Sequence, residues 1–124
     1  MQKTTPTPEG IEQASLVLQN IIDKTPLQLN TNLSEEFDCN VYLKREDLQQ
    51  VRSYKIRGAY NFISRLSKAE TKKGVVCASA GNHAQGFALS CFLLKIKGVV
   101  FMPKTTPKQK VRSVQRIGKE FIEI

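Results

Sequence analysis

The alternation of helical and extended patterns from residue 53 onward restricts the possible folds more than any other feature of this sequence. Strands are predicted at Val75–Ser79, Val99–Met102 and from Phe121 to Ile124. Helices are predicted from Ser53, from about His83 to Leu94, and from Thr106 to Gly118. This order predicts a parallel sheet with right-handed crossovers. The predicted fold class is therefore α/β, an open, parallel, twisted sheet with flanking helices.

Single residues in these elements carry further expectations. The uninterrupted apolar run Val99–Met102 predicts a strand that is covered on both faces. In the helix from His83, a buried stripe is expected at Ala84, Phe87, Ala88 and Cys91. Gly86 is unfavourable within that helix, which indicates either a close backbone approach or a tolerated defect.

The first half of the chain has weaker patterns. Thr7-Pro8 predicts the start of a helix whose apolar stripe runs from Ile11 to Ile22, and the helix should end before Thr25-Pro26. Leu27 and Leu29 are expected in an extended segment or loop. A short helical turn is predicted at residues 33–37, and a strand is predicted at Val41–Lys44.

Length and composition narrow the class of protein. A chain of 124 residues has the length of one domain. Its formal net charge of +8 leaves nucleic acid open as a partner, but the basic residues are dispersed and favour solvated surfaces. The three cysteines match neither a disulfide framework nor a zinc site, which predicts reduced thiols and a cytoplasmic protein. We find no apolar run of membrane-spanning length and no signal peptide.

The stretch Ser53–Asn61 places a lysine at the start of a helix. Ser53 is the predicted N-cap, so Lys55 lies near the second helical position. The positive end of the helix dipole disfavours an ammonium there and penalises a neutral amine less. A neutral amine is the nucleophile that forms a Schiff base with a carbonyl cofactor. Helix position alone favours an ordinary exposed lysine on an amphipathic helix.

The stretch Ser79–Gly86 reads as a tight turn between a strand and a helix, which aims backbone N–H groups at an anion. Asn82 in this turn suits a ligand contact and also suits a plain turn residue, because asparagine tolerates left-handed geometry. His83 is the only histidine, and its backbone N–H is a better candidate for binding than its ring is for catalysis. Arg57 could pair with a carboxylate, and we interpret it as structural, like Lys44 and Glu46.

Four blocks in this order resemble the fold-type II pyridoxal-phosphate enzymes, and among them the threonine dehydratase and serine/threonine dehydratase branch. The blocks are Val41–Gln49, Ser53–Asn61, Ser79–Gly86 and Phe101–Pro107. The resemblance extends from about Thr25 to the end of the sequence. Serine racemase and threonine synthase share the general plan, and the Ser79–Gly86 block is more similar to the dehydratase and racemase branch.

The resemblance implies a lyase that uses pyridoxal 5'-phosphate. Lys55 would hold the cofactor as a Schiff base and then take the α-proton of the substrate. Asn82 would hydrogen-bond the 3-hydroxyl of the cofactor. The substrate carboxylate would be held by Ser79, Ala80, Gly81 and His83. The implied reaction is the deamination of L-threonine to 2-oxobutanoate and ammonia in isoleucine biosynthesis, with serine dehydration or racemisation as alternatives.

The resemblance also implies a truncated chain. Residues 1–50 would belong to, or pack on, a large domain that is missing, and residues 51–124 would form part of a small cofactor-binding domain. Relatives carry a glycine-rich phosphate loop and a serine or cysteine at the pyridine nitrogen, and both lie beyond Ile124. An inactive truncated product is therefore a second hypothesis, and a basic module that binds nucleic acid is a third. A homo-oligomer is expected for the full-length form.

Overall fold

The computed structural model describes residues 5–124, and the first four residues of the predicted N-terminal segment lie outside the described part. The helices are α1 (Pro8–Leu18), α2 (Thr31–Glu36), α3 (Lys55–Ile63), α4 (Lys68–Lys72), α5 (Asn82–Leu94) and α6 (Lys108–Gly118). The strands are β1 (Leu27–Leu29), β2 (Tyr42–Lys44), β3 (Val75–Ala78), β4 (Gly98–Phe101) and β5 (Ile122–Glu123). Short 3₁₀ turns occur at Glu46–Leu48 and Lys119–Phe121.

In the first half, β1 and β2 form a small antiparallel sheet, in which Leu27 pairs with Lys44 and Leu29 pairs with Tyr42. Helix α2 connects the two strands, and its first turn is capped by the Asn30 side chain. Leu27 and Leu29 are therefore strand residues. The sequence left them between strand and loop, because a three-residue edge pattern shows no clear alternation.

In the second half, β3, β4 and β5 form a parallel sheet in the order of the chain. Right-handed crossovers that advance in one direction place their helices on the same face. In agreement, α5 packs against all three strands, and α6 packs against α5 and β5. The predicted α/β fold with a parallel sheet is confirmed.

The core lies between this sheet and α5. Its members are Ile63, Ala84, Phe87, Ala88, Cys91, Val100, Val114 and Ile122, all of them buried. The four predicted stripe residues of α5 are among them, so the helical period correctly identified the inward face. Burial of this face, rather than intrinsic propensity, stabilises α5, because apolar area removed from water contributes roughly 25 cal/mol per Å².

The prediction that residues 99–102 form a strand covered on both faces is wrong. Val100 is fully buried, whereas the neighbouring Phe101 keeps 63% of its surface exposed, and Val76 on β3 keeps 70%. The reason is topological, because both crossover helices lie on one face and no described element covers the other. An apolar residue in a strand does not by itself show that a helix or sheet covers its side chain.

The helix predicted from Ser53, for which the sequence indicates a stop at Lys72-Lys73-Gly74, requires correction at both ends. Helix α3 begins at Lys55 with Tyr54 at the N-cap, so Ser53 is not the cap residue, and Lys55 occupies the first helical position. The helix ends at Ile63, and a separate short helix, α4, follows. A capping box of Ser67 and Glu70 starts α4, and Gly74, with a φ of 82°, follows its end.

Helix α1 begins as predicted, with the Thr7 hydroxyl accepting a hydrogen bond from the Gly10 N–H. Its predicted apolar stripe is only partly buried, because Leu18 is buried and Ile11 is 63% exposed. Within residues 5–124, we find no helix that is both long enough and apolar enough to span a bilayer.

Candidate active site

A cleft of about 560 Å³ opens between α3, β3 and α5. Lys55 and Tyr54 line it from the start of α3, Cys77 from β3, and His83 and Phe87 from α5. The cleft therefore contains a primary amine, an imidazole, a thiol and aromatic rings. Lys55 and His83, two residues that the sequence predicted for the site, come together here although they are distant in the chain.

Lys55 is the first residue of α3, where the dipole and the free N–H groups of the helix disfavour an added cation. Its backbone N–H lies 3.4 Å from the Ser53 hydroxyl oxygen, which accepts the hydrogen bond from just outside the helix. The Lys55 amine lies 4.5 Å from the centroid of the Tyr54 ring. The aromatic face attracts the ammonium form and gives the side chain a defined resting place in the cleft.

The positions of α3 and α5 depend on Gly86. A Cβ atom at this residue would lie 2.8 Å from the Lys55 carbonyl carbon and 2.9 Å from the Ile56 nitrogen. Only a glycine allows α5 to pack this closely on the backbone that carries Lys55. Of the two alternatives that the sequence left open for Gly86, the structure shows the close backbone approach.

The turn before α5 has free backbone donors. The Ser79 N–H donates to the Phe101 carbonyl oxygen at 3.0 Å, and the Gly81 N–H donates to the Ser79 hydroxyl oxygen at 3.3 Å. Within residues 5–124, the N–H groups of Ala80, Asn82 and His83 have no hydrogen-bond acceptor, and no side chain caps the helix. Unpaired N–H groups at the start of a 13-residue helix suit an anionic group.

Asn82 and Lys55 line different clefts. Asn82 lines a second cleft, of about 580 Å³, whose charged residues are Arg52, Arg116 and Lys119. Asn82 lies one helical turn before Gly86 and therefore on the same face of α5, and Gly86 contacts the Lys55 backbone. Ser79, Ala80 and Gly81 form the turn that leads into this helix. The ligand contacts expected of these residues remain predictions.

The sequence did not mark Tyr54, Cys77 and Phe87 as residues of the site. The alternation along β3 could have indicated Cys77, because Val75 and Cys77 lie on the face opposite to exposed Val76. Burial raises the pKa of the Cys77 thiol to about 11, so the thiol is protonated near neutral pH. Cys77 therefore contributes shape and a weak polar group to the cleft rather than a nucleophile.

Arg57 forms the predicted pair with a carboxylate, and the partner is Glu46. The Arg57 Nε and Nη2 atoms donate to the two Glu46 carboxylate oxygens at 2.8 and 2.7 Å. These hydrogen bonds lower the pKa of Glu46 from 4.5 to about 2. From the sequence we interpret both residues as structural, and the pair holds α3 against the segment that follows β2.

Comparisons with known proteins agree on the family. The sequence profile of a family described as pyridoxal-phosphate dependent enzyme matches residues 18–124. A biosynthetic L-threonine dehydratase from Halalkalibacterium halodurans is 58% identical over 116 residues, which are 94% of this chain and 28% of the relative. The chain thus spans less than a third of the length of this curated relative.

Two solved structures are also similar. The processed form of threonine deaminase isoform 2 from Solanum lycopersicum matches 98% of this chain and 34% of its own, with 39% identity and a TM-score of 0.79. Serine racemase from Dictyostelium discoideum matches 93% of this chain and 38% of its own, with 34% identity and a TM-score of 0.86. On the evidence of the profile match, the fold and these relatives, the chain belongs to the family of pyridoxal-phosphate-dependent enzymes.

Proposed function

We propose that this chain provides the lysine-bearing part of a pyridoxal-phosphate-dependent threonine ammonia-lyase, which converts L-threonine into 2-oxobutanoate and ammonia in isoleucine biosynthesis. The observation that carries the proposal is the position of Lys55. Its amine lies at the first turn of α3 and lines the cleft between α3, β3 and α5. The high identity to a biosynthetic threonine dehydratase supports the choice of substrate.

The residues of the cleft fit the cofactor. An aldehyde cofactor requires a primary amine, and Lys55 provides one in the cleft. A planar ring suits the aromatic side chains of Tyr54 and Phe87. The free N–H groups at the start of α5 add donors for an anionic group of cofactor or substrate.

Pyridoxal phosphate supplies an aldehyde and a conjugated ring that stabilises negative charge at the substrate Cα atom. Lys55 would hold the cofactor through its amine, and this amine, when free, would take the proton from the substrate Cα atom as a general base. Lys55 would return this proton to the departing β-hydroxyl of threonine, which would leave as water. One water molecule is lost and one is added, so L-threonine gives 2-oxobutanoate and ammonia in balance. The start of α5 orients the substrate by its carboxylate so that the Cα proton faces Lys55.

The remaining site assignments belong to the same proposal. We also propose that Asn82, which lines the second cleft rather than that of Lys55, hydrogen-bonds the 3-hydroxyl of the cofactor. The substrate carboxylate is proposed to be held by Ser79, Ala80, Gly81 and His83. Ala80 and His83 contribute backbone N–H groups that are free in the structure. The Ser79 N–H is already bonded to Phe101, so Ser79 contributes its hydroxyl.

The wider organisation of the protein is also a proposal. Residues 1–50 pack on a large domain, residues 51–124 form part of the small cofactor-binding domain, and the full-length protein is a cytoplasmic homo-oligomer. Serine dehydration and racemisation are alternatives, since a serine racemase has the same fold over this region. Identity favours threonine, because it is 58% to the threonine dehydratase and 34% to that racemase.

Borohydride trapping tests the proposal. The chain is incubated with pyridoxal phosphate, and borohydride then adds hydride to the carbon of a C=N bond between amine and aldehyde, leaving a stable secondary amine. Peptide mass mapping is expected to place the label at Lys55. Lys55→Ala should lose that label, whereas Lys104→Ala, which alters an exposed lysine outside the cleft, should retain it. Label spread evenly over exposed lysines would contradict the proposal.

Substrate choice needs a second assay. A protein that contains this chain and forms 2-oxobutanoate from L-threonine faster than pyruvate from L-serine would support the threonine assignment. Formation of D-serine as the main product would favour the racemase alternative. If Lys55 is labelled and no product forms from either amino acid, the second hypothesis of an inactive partial chain holds.

A further inference from the structure

Glu46 is the centre of a polar network beside α3. Its side chain is only 15% exposed and accepts the two hydrogen bonds from Arg57. The Thr25 hydroxyl donates a third hydrogen bond to the same carboxylate at 2.6 Å. A bidentate arginine pair fixes the relative orientation of both partners, because two parallel hydrogen bonds do not allow the guanidinium to rotate freely.

Further hydrogen bonds, from Gln49 and Lys44, hold Glu46 and Thr25 in place. Gln49 is 1% exposed, and its amide both accepts from the Asp23 N–H at 3.1 Å and donates to the Asp23 carbonyl oxygen at 2.9 Å. The same amide nitrogen lies 3.4 Å from a Glu46 carboxylate oxygen. Lys44 donates to the Thr25 carbonyl oxygen. The carboxylate is therefore supported by buried Thr25 and Gln49, which are in turn hydrogen-bonded to exposed Lys44 and Asp23.

This network contacts, through Arg57, the turn of α3 that carries Lys55. Lys55 and Arg57 are two residues apart at the start of α3, and both line the cleft between α3, β3 and α5. Gly86 of α5 contacts the Lys55 backbone, and Glu46 holds Arg57. The Ser53 hydroxyl accepts one long hydrogen bond, of 3.4 Å, from the Lys55 N–H at the start of α3. The Gly86 contact and the Glu46–Arg57 pair add two further contacts that fix this first turn.

We propose that Glu46, acting through Arg57, is a positioning residue that holds Lys55 in the orientation required for reaction with the cofactor. This inference rests on the proposed role of Lys55. Misplacement of a reacting group by about 1 Å can reduce reactivity by about a hundredfold, so a rigid first turn has a direct chemical consequence.

The neighbouring pair of Arg45 and Asp47 offers a matched control. Arg45 donates to both Asp47 carboxylate oxygens at 2.9 and 2.8 Å, in the same bidentate geometry. This pair is more exposed, with 34% and 58% of the two side chains accessible, and neither residue bonds to α3. Arg45 and Asp47 flank Glu46 in the sequence. Breaking their pair therefore shows the effect on labelling of losing an ordinary surface ion pair.

The test compares cofactor attachment in Glu46→Gln, Arg57→Gln, the double variant and Asp47→Asn. Borohydride labelling of Lys55 is measured as a function of pyridoxal phosphate concentration, at a temperature where every variant is folded. Both single variants are expected to require at least about fivefold more cofactor for half-labelling, and the double variant about the same as either. Asp47→Asn should stay within about twofold of the wild type.

A control variant distinguishes the positioning role from a general loss of stability. Val114→Ala removes buried volume in the core, away from this network, and should leave Lys55 labelling unchanged. Labelling of Glu46→Gln that matches Asp47→Asn would overturn the inference while leaving the proposed function intact.

If the wild type is not labelled at Lys55, the proposed function fails, and a cofactor-free measurement decides the positioning role. Acetylation of Lys55 by acetic anhydride, relative to Lys104, should then change at least about threefold in Glu46→Gln. An unchanged ratio would overturn the inference.

Discussion

At the scale of single residues, the candidate site depends on what a side chain excludes as well as on what it supplies. Lys55 supplies the amine. Gly86 has no side chain, which lets α5 contact the Lys55 backbone. The two requirements are coupled, because a larger residue at position 86 would displace α5, which lines the cleft through His83 and Phe87. The amine of Lys55 and the lack of a side chain at Gly86 are thus both required for this site.

We expect Gly86→Ala to destabilise the protein by about 1–3 kcal/mol, because the new methyl group would overlap the Lys55 and Ile56 backbone. The matched control is Gly58→Ala in α3, where a Cβ would meet nothing within 4 Å. That change should stabilise the protein by about 0.5–1 kcal/mol through helix propensity. Urea unfolding measures both effects, and equal midpoints for the two variants would contradict the packing seen at Gly86.

At the scale of elements, α3 is held between two different kinds of contact. Helix α5 packs on it through apolar side chains and the Gly86 contact, and the segment after β2 holds it through the Glu46–Arg57 pair. The pair is mostly shielded from solvent on the Glu46 side, so it should contribute more than an exposed ion pair does.

The Glu46–Arg57 pair predicts a specific pH dependence of stability. The pKa of Glu46 is lower in the folded protein than its ordinary value of 4.5. Its contribution is therefore fully present above 4.5 and is lost as the pH falls towards about 2. The wild type should exceed Glu46→Gln by roughly 1–3 kcal/mol near neutral pH, and this difference should shrink across that window.

Urea unfolding of both proteins at several pH values gives the difference directly and cancels the titration of other carboxylates. Asp47→Asn serves as the control, and its difference from the wild type should remain small throughout. A difference for Glu46→Gln that stays constant from neutral pH to pH 3 would disagree with a pKa of about 2 for the Glu46 carboxyl.

At the scale of the whole molecule, the parallel sheet has one covered and one open face within residues 5–124. The crossover helices lie on the covered face with Val100, and the open face presents Val76 and Phe101. Large exposed side chains that lie close together on a sheet form an apolar patch, which is unusual for an isolated monomeric surface.

Substitutions at two neighbouring positions on β4 should therefore have very different effects on the free energy of unfolding. Val100→Ala is expected to reduce the free energy of unfolding by roughly 1.5–3 kcal/mol, because it removes fully buried methyl groups. Phe101→Thr should change it by less than about 0.5 kcal/mol and should reduce the binding of a hydrophobic fluorescent dye. Chemical denaturation and dye titration measure these effects, and a large loss of stability in Phe101→Thr would mean that the open face is covered.

The sequence by itself determined the order of elements from residue 53, the inward stripe of α5 and the lysine at the start of α3. These features depend on local periodicity and turn chemistry, which are carried by residues close together in the chain. It missed α4, because the capping box at Ser67 and Glu70 lies in a polar stretch without an apolar stripe.

Only the tertiary structure decided which side chains share a cleft and which face of the sheet is covered. Lys55 meets His83 and Cys77 through the packing of α3 on α5, and Asn82 lines a different cleft although it is adjacent to His83 in the chain. Glu46 became the partner of Arg57 through a contact across eleven residues. Such contacts depend on how elements pack, and the pattern within one element carries no information about its neighbours.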